Sequence, residues 1–424
     1  MKMKVTELSR EELLQLESEL QAKYDDYKAK GLKLDMSRGK PSSLQLDINN
    51  EMLAMPLDSY ILENGLDVRN YGGVDGTVEM RRLFSELLDI PMAQIIVGGN
   101  SSLNMMYDMM MRLFMFGTLG HKPWKDAGKI KFLCPSPGYD RHFAITQTLG
   151  VEMITIPMTP TGPDMDMIEK LVAEDASIKG MWSIPLYSNP QGIIYSDETV
   201  KRLASMKTAA PDFRIFWDNA YGVHHLFSEN SIPDILKLSK EAGNPDRVLY
   251  YFSTSKITLP GGGVAMMAGG EATIAEAKKH IGIQTIGPDK VNQIRHAQYF
   301  KNAEGIRMRM KALAEQMVPK YELVLNLLEK ELADTGLLTW TKPEGGYFIT
   351  VDTLPGCAKA TVALAKEAGV VLTGAGATYP YGIDPKDTNI RLAPSYPPID
   401  ELQAAMELFC LCVKLAGVRK LLEA

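Results

Sequence analysis

The sequence predicts an α/β protein of two domains, in which a large domain holds a seven-stranded, mostly parallel sheet and a smaller domain is α+β. The chain has 424 residues, and a single hydrophobic core stops growing at roughly 250–300 residues. Between about residues 93 and 268, short apolar runs alternate with longer helical patterns. Most of these runs are continuous rather than alternating, which is typical of strands buried on both faces.

The first half of the chain supplies a helical arm and then the sheet. A helix is predicted over residues 9–31, where Ser9 and Glu12 make a capping box and Gly31 ends the pattern. A second helix is predicted near residues 50–64. Helical segments separate most of the strands that follow, which favours parallel pairing. The predicted strands cover residues 94–98, 130–134, 151–157, 180–185, 213–217, 248–252 and 263–268.

The pattern changes after residue 290. A long helix is predicted over residues 290–334, ending at Gly336, and a last amphipathic helix over residues 399–422. Strands are predicted at residues 338–341, 346–351 and 389–392. The apolar stripe of the N-terminal helix is expected to pack against this second domain. We therefore predict an N-terminal arm with part of the small domain (1–50), a large domain (51–300) and a small C-terminal domain (301–424).

Composition excludes several classes of function. The formal net charge is −6 and there is no long basic run, so neither nucleic acid nor an anionic membrane surface is an expected partner. No stretch approaches the roughly 20 apolar residues of a membrane span. Four cysteines make no disulfide framework, and no Cys/His cluster has zinc spacing. We expect a cytoplasmic protein without a metal; adjacent His224 and His225 point apart on any regular element.

Five predicted strands run directly into polar or glycine-rich tips. In open α/β sheets, ligands bind beyond the carboxyl ends of the strands, so these tips are expected to line one pocket. The tips are VGGNSS (97–102), PSPGYD (135–140), SNPQG (188–192), DNAY (218–221) and STSK (253–256).

The first and last of these tips suit a phosphate and a reactive amine. Gly99, Asn100 and Ser101 lie between a strand and an apolar helix, where backbone N–H groups and hydroxyls bind anions. Ser253 and Ser255 add hydroxyl donors. Lys256 follows a hydrophobic strand, where desolvation lowers the pKa of an ammonium group and makes the amine a nucleophile.

The other tips add a carboxylate and an aromatic face. Asp218 ends the run FRIFW and needs a cationic partner if it is buried, and Tyr139 offers a ring for stacking. A phosphate site, an amine that reacts with aldehydes, a buried carboxylate and a stacking ring together describe a site for pyridoxal 5′-phosphate (PLP).

The order N-P-x-G, D-x-A-Y, S-x-S-K and an arginine in N-I-R-L resembles the class I aminotransferases, which have PLP-dependent transferase fold type I. More narrowly, LDMSRGKPSSLQLD, VGGNSSL, PSPGYDRH, STSKITLPGGGVAM and NIRLAPSYPP resemble the MocR-type aminotransferase subgroup. The resemblance runs from about residue 33 to 396. It implies PLP as cofactor and a homodimer with shared active sites.

The resemblance also implies roles for the residues that hold the cofactor. Lys256 would bind PLP covalently and later move the substrate proton, and Asp218 would pair with the pyridinium nitrogen. Tyr221 and Asn189 would hydrogen-bond the ring oxygen, while Tyr139 would stack on the ring. The phosphate would be held by Gly99, Asn100, Ser101 and Ser253, with Ser255 a weaker candidate, and by Tyr71 from the neighbouring subunit.

Substrate would meet Arg391, whose guanidinium would bind the α-carboxylate as a fork, together with Asn189 and the loop at Gly39. One departure is evident: the family usually has a phosphate-binding arginine eight residues after the lysine, where this chain has Val264. A distal carboxylate would need a second cation. The candidates are Arg38, Lys40, Arg141, Lys290 and Arg295.

We therefore predict a PLP-dependent aminotransferase that moves an amino group between an L-amino acid, aspartate or glutamate, and a 2-oxo acid such as 2-oxoglutarate. Two alternatives stay open. One is other chemistry on the same fold, by a lyase or decarboxylase. The other is a non-catalytic, MocR-like effector-sensing module, although the acidic charge is unlike that of a DNA-binding protein.

Overall fold

The computed structural model describes residues 4–423. In chain order its strands are β1 (Leu34–Asp35), β2 (Ile95–Val97), β3 (Lys131–Ser136), β4 (Glu152–Thr159), β5 (Gly162–Pro163), β6 (Ile178–Ser183), β7 (Arg214–Asp218), β8 (Val248–Ser253), β9 (Ala265–Ala268), β10 (Leu338–Trp340), β11 (Ile349–Thr353), β12 (Val370–Val371) and β13 (Asn389–Leu392). Its α-helices are α1 (Arg10–Ala29), α2 (Ser43–Asp47), α3 (Asn50–Ala54), α4 (Val78–Leu88), α5 (Ser102–Phe116), α6 (Asp140–Thr148), α7 (Met165–Glu174), α8 (Asp197–Ser205), α9 (Ile235–Glu241), α10 (Glu271–Gln284), α11 (Lys290–Phe300), α12 (Ala303–Leu332), α13 (Ala358–Glu367) and α14 (Ile399–Glu423).

The large sheet has the strand order β2-β9-β8-β7-β6-β3-β4-β5. Neighbouring strands from β8 through β4 run parallel, whereas β9 is antiparallel to both of its neighbours. Every residue of β6, β7 and β8 is buried, which explains their continuous apolar sequences. The predicted seven strands are all present. The sheet has eight strands and not the predicted seven, because β5 also pairs with the end of β4. The two residues of β5 are too few to give a sequence pattern.

A second core forms around a smaller antiparallel sheet of order β10-β11-β13. Leu13, Leu20 and Tyr24 of α1 belong to this core, as the apolar stripe of the N-terminal helix predicts. The strand predicted at 346–351 begins later, at Ile349, because the backbone N–H of Gly346 donates to the carbonyl of His224 instead. The parallel pair β1–β12 was not predicted.

Two helix predictions are wrong in their extent. The predicted helix at 50–64 ends as α3 at Ala54, since Pro56 disfavours the helical conformation of the residue before it. The predicted helix at 290–334 is two helices. Lys301 has a φ of 67°, and the Asn302 side chain accepts a hydrogen bond from the backbone N–H of Gly305 to begin α12. The capping box of Ser9 and Glu12 at the start of α1 is confirmed.

The helices between residues 4 and 423 include none that combines the length and the apolar character needed to cross a membrane.

Candidate active site

The parallel strands bring their polar tips to one edge of the sheet. Asp218 is the last residue of β7 and Ser253 the last residue of β8, and these two strands are hydrogen-bonded neighbours. Tyr139 follows β3 and precedes α6, while Gly99 follows β2. Parallel strands end at the same edge, so this topology gathers residues that lie far apart in sequence.

Asp218 is a buried carboxylate in which one oxygen contacts another side chain and the other oxygen has no hydrogen-bond partner. Its side chain is 95% buried, and its Oδ2 lies 3.1 Å from Nε2 of His142. Oδ1 is buried without a hydrogen-bond partner. Since an unpaired buried carboxylate oxygen is costly, this atom is suited to accept a hydrogen bond from a cationic ligand group.

His142 was missed by the sequence analysis. Its ring stacks on Trp182, with centroids 4.3 Å apart, and lies 5.0 Å from the ring of Tyr139. The residue lies in the first turn of α6, directly after the PSPGY tip, and that position is the signal that could have identified it. Stacking fixes the imidazole, and the imidazole in turn fixes the orientation of Asp218.

Lys256 lies in the loop after β8, beside two tyrosine rings. Its Nζ is 5.1 Å from the ring centre of Tyr221 and 5.9 Å from that of Tyr347. Burial lowers the pKa of the Lys256 ammonium group; nearby Asp218 acts in the opposite direction and Arg391 in the same direction. A lowered pKa leaves more of the amine neutral and able to attack an aldehyde.

The tyrosines around this amine remain protonated. Burial raises the pKa of Tyr221 well above its ordinary value. Burial, with the charges of Asp218 and Asp140, raises the pKa of Tyr139 to about 12. Both phenols therefore keep their O–H group as a hydrogen-bond donor in neutral solution.

The segment between β2 and α5 is built to receive an anion. The Ser101 side chain caps α5 by accepting from the backbone N–H of Asn104. The Ser255 hydroxyl donates to the Asn100 carbonyl at 3.1 Å, and the Asn100 amide donates to the Pro260 carbonyl at 3.4 Å. A Cβ built on Gly99 would meet nothing within 4 Å, so there is open space beside the helix N-terminus.

The side chain of Val264 does not line the open space beside Gly99 and the N-terminus of α5. Its side chain is buried in the hydrophobic core of the large sheet, and its backbone N–H donates to Oγ1 of Thr254 at 2.9 Å. The position at which the resemblance calls for a phosphate-binding arginine is therefore a core position in this chain.

Arg391 approaches the same cluster from β13. Its Nη1 donates to Oδ1 of Asp140 and to Oδ1 of Asn189, both at 3.2 Å. Its Nη2 lies 3.5 Å from the hydroxyl of Thr373, and its Nε is buried without a partner. Asp140 and Asn189 thus hold Nη1 in place, while Nε is a buried donor without a partner, the kind of group that a carboxylate would satisfy.

Gly39 permits a close approach over this arginine. The guanidinium lies 4.7 Å from the ring centre of Phe348. A Cβ on Gly39 would come within 2.4 Å of Cζ of the same ring. The SRGKP loop therefore reaches Phe348 only because residue 39 has no side chain.

Tyr71 is the one predicted site residue that this chain does not bring into the cluster. Its side chain is 77% exposed and is followed by Gly72 and Gly73, both with positive φ.

The candidate cations for a distal carboxylate lie in different places. Arg38 and Lys40 flank Gly39, and the Lys40 amine lies 3.9 Å from the ring centre of Tyr396. Arg141 is exposed, whereas Lys290 is buried.

Comparison with known proteins places this geometry in a family. The model of the aspartate amino-transferase family matches residues 8–424. The chain belongs to this family. An aspartate aminotransferase of Corynebacterium glutamicum is 48% identical over 406 residues, covering 94% of this chain and 93% of that protein. A putative aminotransferase of Mycolicibacterium smegmatis is 47% identical over 420 residues, covering 98% of each chain.

Solved structures agree. The crystal structure of an aspartate transaminase from Corynebacterium glutamicum superposes with a TM-score of 0.97 at 46% identity, covering 99% of this chain and 100% of that chain. The predicted fold type I architecture is confirmed, and the protein is a PLP-dependent aminotransferase.

Proposed function

We propose that this aminotransferase transfers the amino group between L-aspartate or L-glutamate and a 2-oxo acid such as 2-oxoglutarate, with PLP held on Lys256. One observation carries the assignment of the site: a buried carboxylate oxygen without a partner, Oδ1 of Asp218, lies in the same cluster as a lysine whose pKa burial lowers. The aldehyde of PLP would react with a neutral amine, and its protonated ring nitrogen would bind a carboxylate that has no other partner.

The residues present fit the cofactor. Asp218 would accept a hydrogen bond from the ring nitrogen, Tyr139 would cover one face of the ring, and Tyr221 with Asn189 would donate to the ring oxygen. When bound, PLP accepts the electrons released as bonds at the substrate Cα break. Gly99, Asn100, Ser101, Ser253 and Ser255 would hold the phosphate beside the N-terminus of α5.

Lys256 would carry the proton that leaves the substrate Cα. The rings of Tyr221 and Tyr347 lie beside its amine, with their centres 5.1 Å and 5.9 Å from Nζ. A lowered pKa suits a group that must be neutral to accept a proton and charged to return it.

Arg391 would bind the substrate α-carboxylate through its unpartnered Nε. Asp140 and Asn189 hold Nη1, so the fork is oriented before substrate arrives. Aspartate or glutamate as substrate is supported by the relatives of 46–48% identity that are named for aspartate. Arg38 and Lys40 flank Gly39, and Arg141 follows Asp140, so all three are candidates for a distal carboxylate beside Phe348 and Arg391.

We also propose a homodimer in which Tyr71 reaches the phosphate of the neighbouring subunit. An aromatic side chain that is 77% exposed at the tip of a glycine-rich turn supports this, since a partner surface would cover it. The proposed division at residues 50 and 300 and a cytoplasmic location complete the assignment.

No observation favours either alternative. A helix-turn-helix-type transcriptional regulator of Bacillus subtilis is 26% identical over 66% of this chain, covering 55% of that protein, whereas the relatives at 47–48% identity are named as aminotransferases. The narrower placement in the MocR-type subgroup is therefore not supported.

A panel of amino donors, each mixed with 2-oxoglutarate, tests the proposed reaction. We expect L-aspartate to give oxaloacetate and glutamate in equal amounts, with kcat/KM at least tenfold above that for L-alanine. Release of ammonia or carbon dioxide in place of a second amino acid would indicate a lyase or decarboxylase. Preference for a neutral donor would overturn the acidic substrate.

A further inference from the structure

Three polar side chains on one face of α11 reach the two loops of the proposed cofactor site. Asn292, Gln293 and His296 lie at helical spacing, and Gln293 and His296 are fully buried. None of the three was singled out by the sequence. Buried polar side chains need hydrogen-bond partners. Most of the partners here lie at the end of β2 and in the loop after β8, and the backbone N–H of Thr77 donates to the Gln293 side chain at 2.8 Å.

Gln293 and Asn292 bind backbone carbonyls at the ends of these loops. The Gln293 amide donates to the carbonyls of Val97 at 3.3 Å and Gly98 at 2.9 Å, next to the proposed phosphate loop. The Asn292 amide donates to the carbonyls of Gly262 at 2.9 Å and Gly263 at 3.0 Å, in the glycine run after Lys256. One helix turn thereby holds both loops.

His296 extends the contact to the lysine loop through two threonines. Its Nδ1 lies 2.9 Å from the Asn292 carbonyl, which only accepts, so Nδ1 carries the hydrogen. Nε2 is then an acceptor, and the single hydroxyl hydrogen of Thr258 is shared between Nε2 at 3.0 Å and the Thr254 carbonyl at 3.2 Å. Thr258 in turn accepts from the Thr254 hydroxyl at 3.1 Å, and Thr254 accepts from the backbone N–H of Val264 at 2.9 Å.

These hydrogen bonds form a circuit that the peptide bond between Gly263 and Val264 closes. It runs from Val264 through Thr254 and Thr258 to His296, and returns through Asn292 to the carbonyls of Gly262 and Gly263, next to Val264. Burial lowers the pKa of His296 to about 4, so the ring stays neutral and keeps its acceptor nitrogen in neutral solution.

We propose that Asn292, Gln293, His296 and Thr258 are positioning residues that lock the lysine loop against the phosphate loop. In this chain the two loops are joined through α11, while position 264 holds a core valine and supplies no charged side chain. The inference rests on the proposed function, in which Lys256 and the β2–α5 loop hold PLP.

Paired variants test this lock. Gln293→Met removes the hydrogen bonds with Val97, Gly98 and the backbone N–H of Thr77 at nearly constant volume, so Thr258→Val is the more selective of the two test variants. Gln298→Met is the matched control, because Gln298 lies on the same helix but accepts from the backbone N–H of Asp58 at 3.0 Å. Thr258→Val breaks the circuit and Thr258→Ser preserves its hydroxyl. The readouts are the dissociation constant for PLP and the amide hydrogen exchange of residues 254–266 in the cofactor-free protein.

We expect Gln293→Met and Thr258→Val to weaken PLP binding by about tenfold, the effect of one lost buried hydrogen bond. Thr258→Val should also speed exchange at Val264, whereas Gln298→Met and Thr258→Ser should stay within about threefold of wild type. Wild-type affinity and exchange in both test variants would overturn the lock. If either test variant does not fold, the other decides.

Failure of the proposed function gives a different result. In that case borohydride would not attach PLP to Lys256 of the wild-type enzyme at all. Hydrogen exchange in the cofactor-free protein would still report whether the circuit holds the loop, because that readout needs no bound cofactor.

Discussion

The proposed phosphate end and the carboxylate end of the site both receive an anion, yet they are built from different groups. At the phosphate end the groups are neutral: a helix N-terminus, serine hydroxyls and an asparagine amide, with a valine at the position where the family usually has an arginine. At the carboxylate end a single guanidinium is held by Asp140 and Asn189.

This difference matches the lifetimes of the two ligands. A cofactor that stays through many turnovers would gain from several weak donors on rigid loops, because losing any one of the serine hydroxyls would cost little. A substrate that must arrive and leave in each turnover gains from one strong fork. In the proposed site, binding would thus be distributed at one end and concentrated at the other, and removing single residues would distinguish these two arrangements.

The largest loss should come from the residue between the two ends. Lys256→Ala removes both the covalent attachment and the proton carrier, and acid–base transfer alone contributes about 10²–10⁴-fold. We expect kcat to fall by about 10³-fold or more. The assay measures the rate at which the oxo-acid product forms. Exposed Lys279→Ala serves as the control and should leave the rate unchanged. A Lys256→Ala enzyme with more than a tenth of the wild-type rate would remove this lysine from the mechanism.

Tyr71 tests whether the phosphate end is completed by a second subunit. Tyr71→Ala and Lys256→Ala chains should each be inactive alone. After subunit exchange, a mixed dimer contains one site with both native residues, so activity should reappear. Activity that stays at the sum of the separate variants, although mixed dimers form, would argue against shared sites.

Arg391→Lys tests the concentrated end. Lysine keeps the charge but cannot make two parallel hydrogen bonds, and a charge-assisted hydrogen bond is worth roughly 1.5–3 kcal/mol. We expect kcat/KM to fall about 10–100-fold for aspartate and alanine alike, since both have an α-carboxylate. A loss confined to aspartate would instead place Arg391 at the distal carboxylate.

Single serine changes test the distributed end and should have the smallest effect. Replacing Ser101, Ser253 or Ser255 with alanine removes one neutral donor, worth about 1 kcal/mol. Each variant should release PLP only about fivefold more readily, as measured by equilibrium dialysis. If one serine variant lost PLP affinity by as large a factor as Arg391→Lys loses kcat/KM, the phosphate end would also depend on a single group.

Most of the sheet and of the residues gathered at its edge could be predicted from sequence. Continuous apolar runs identify buried strands, and parallel topology brings the tips that hold Asp218, Ser253 and Lys256 to one edge. Arg391 lies far along the chain and was identified only through the resemblance, because the antiparallel pairing of β13 with β11 leaves no mark in sequence that ties it to the site.

Features that depend on contacts between distant elements could not be predicted. His142 matters because its ring meets Asp218 and Trp182, and one histidine in a helix carries no sign of either contact. The closeness of Gly39 to Phe348 is likewise tertiary. The break at Lys301 interrupts a helical pattern that is otherwise continuous, because a local cap at Asn302 overrides it.

The central claim is that Lys256 is the amine that holds the cofactor. Reduction of the PLP-loaded enzyme with borohydride, followed by protease digestion and mass spectrometry, tests it directly. We predict that the reduced cofactor will be found on the peptide that contains Lys256, in one copy per chain. A label on Lys290 or Lys301 instead would contradict this account of the site.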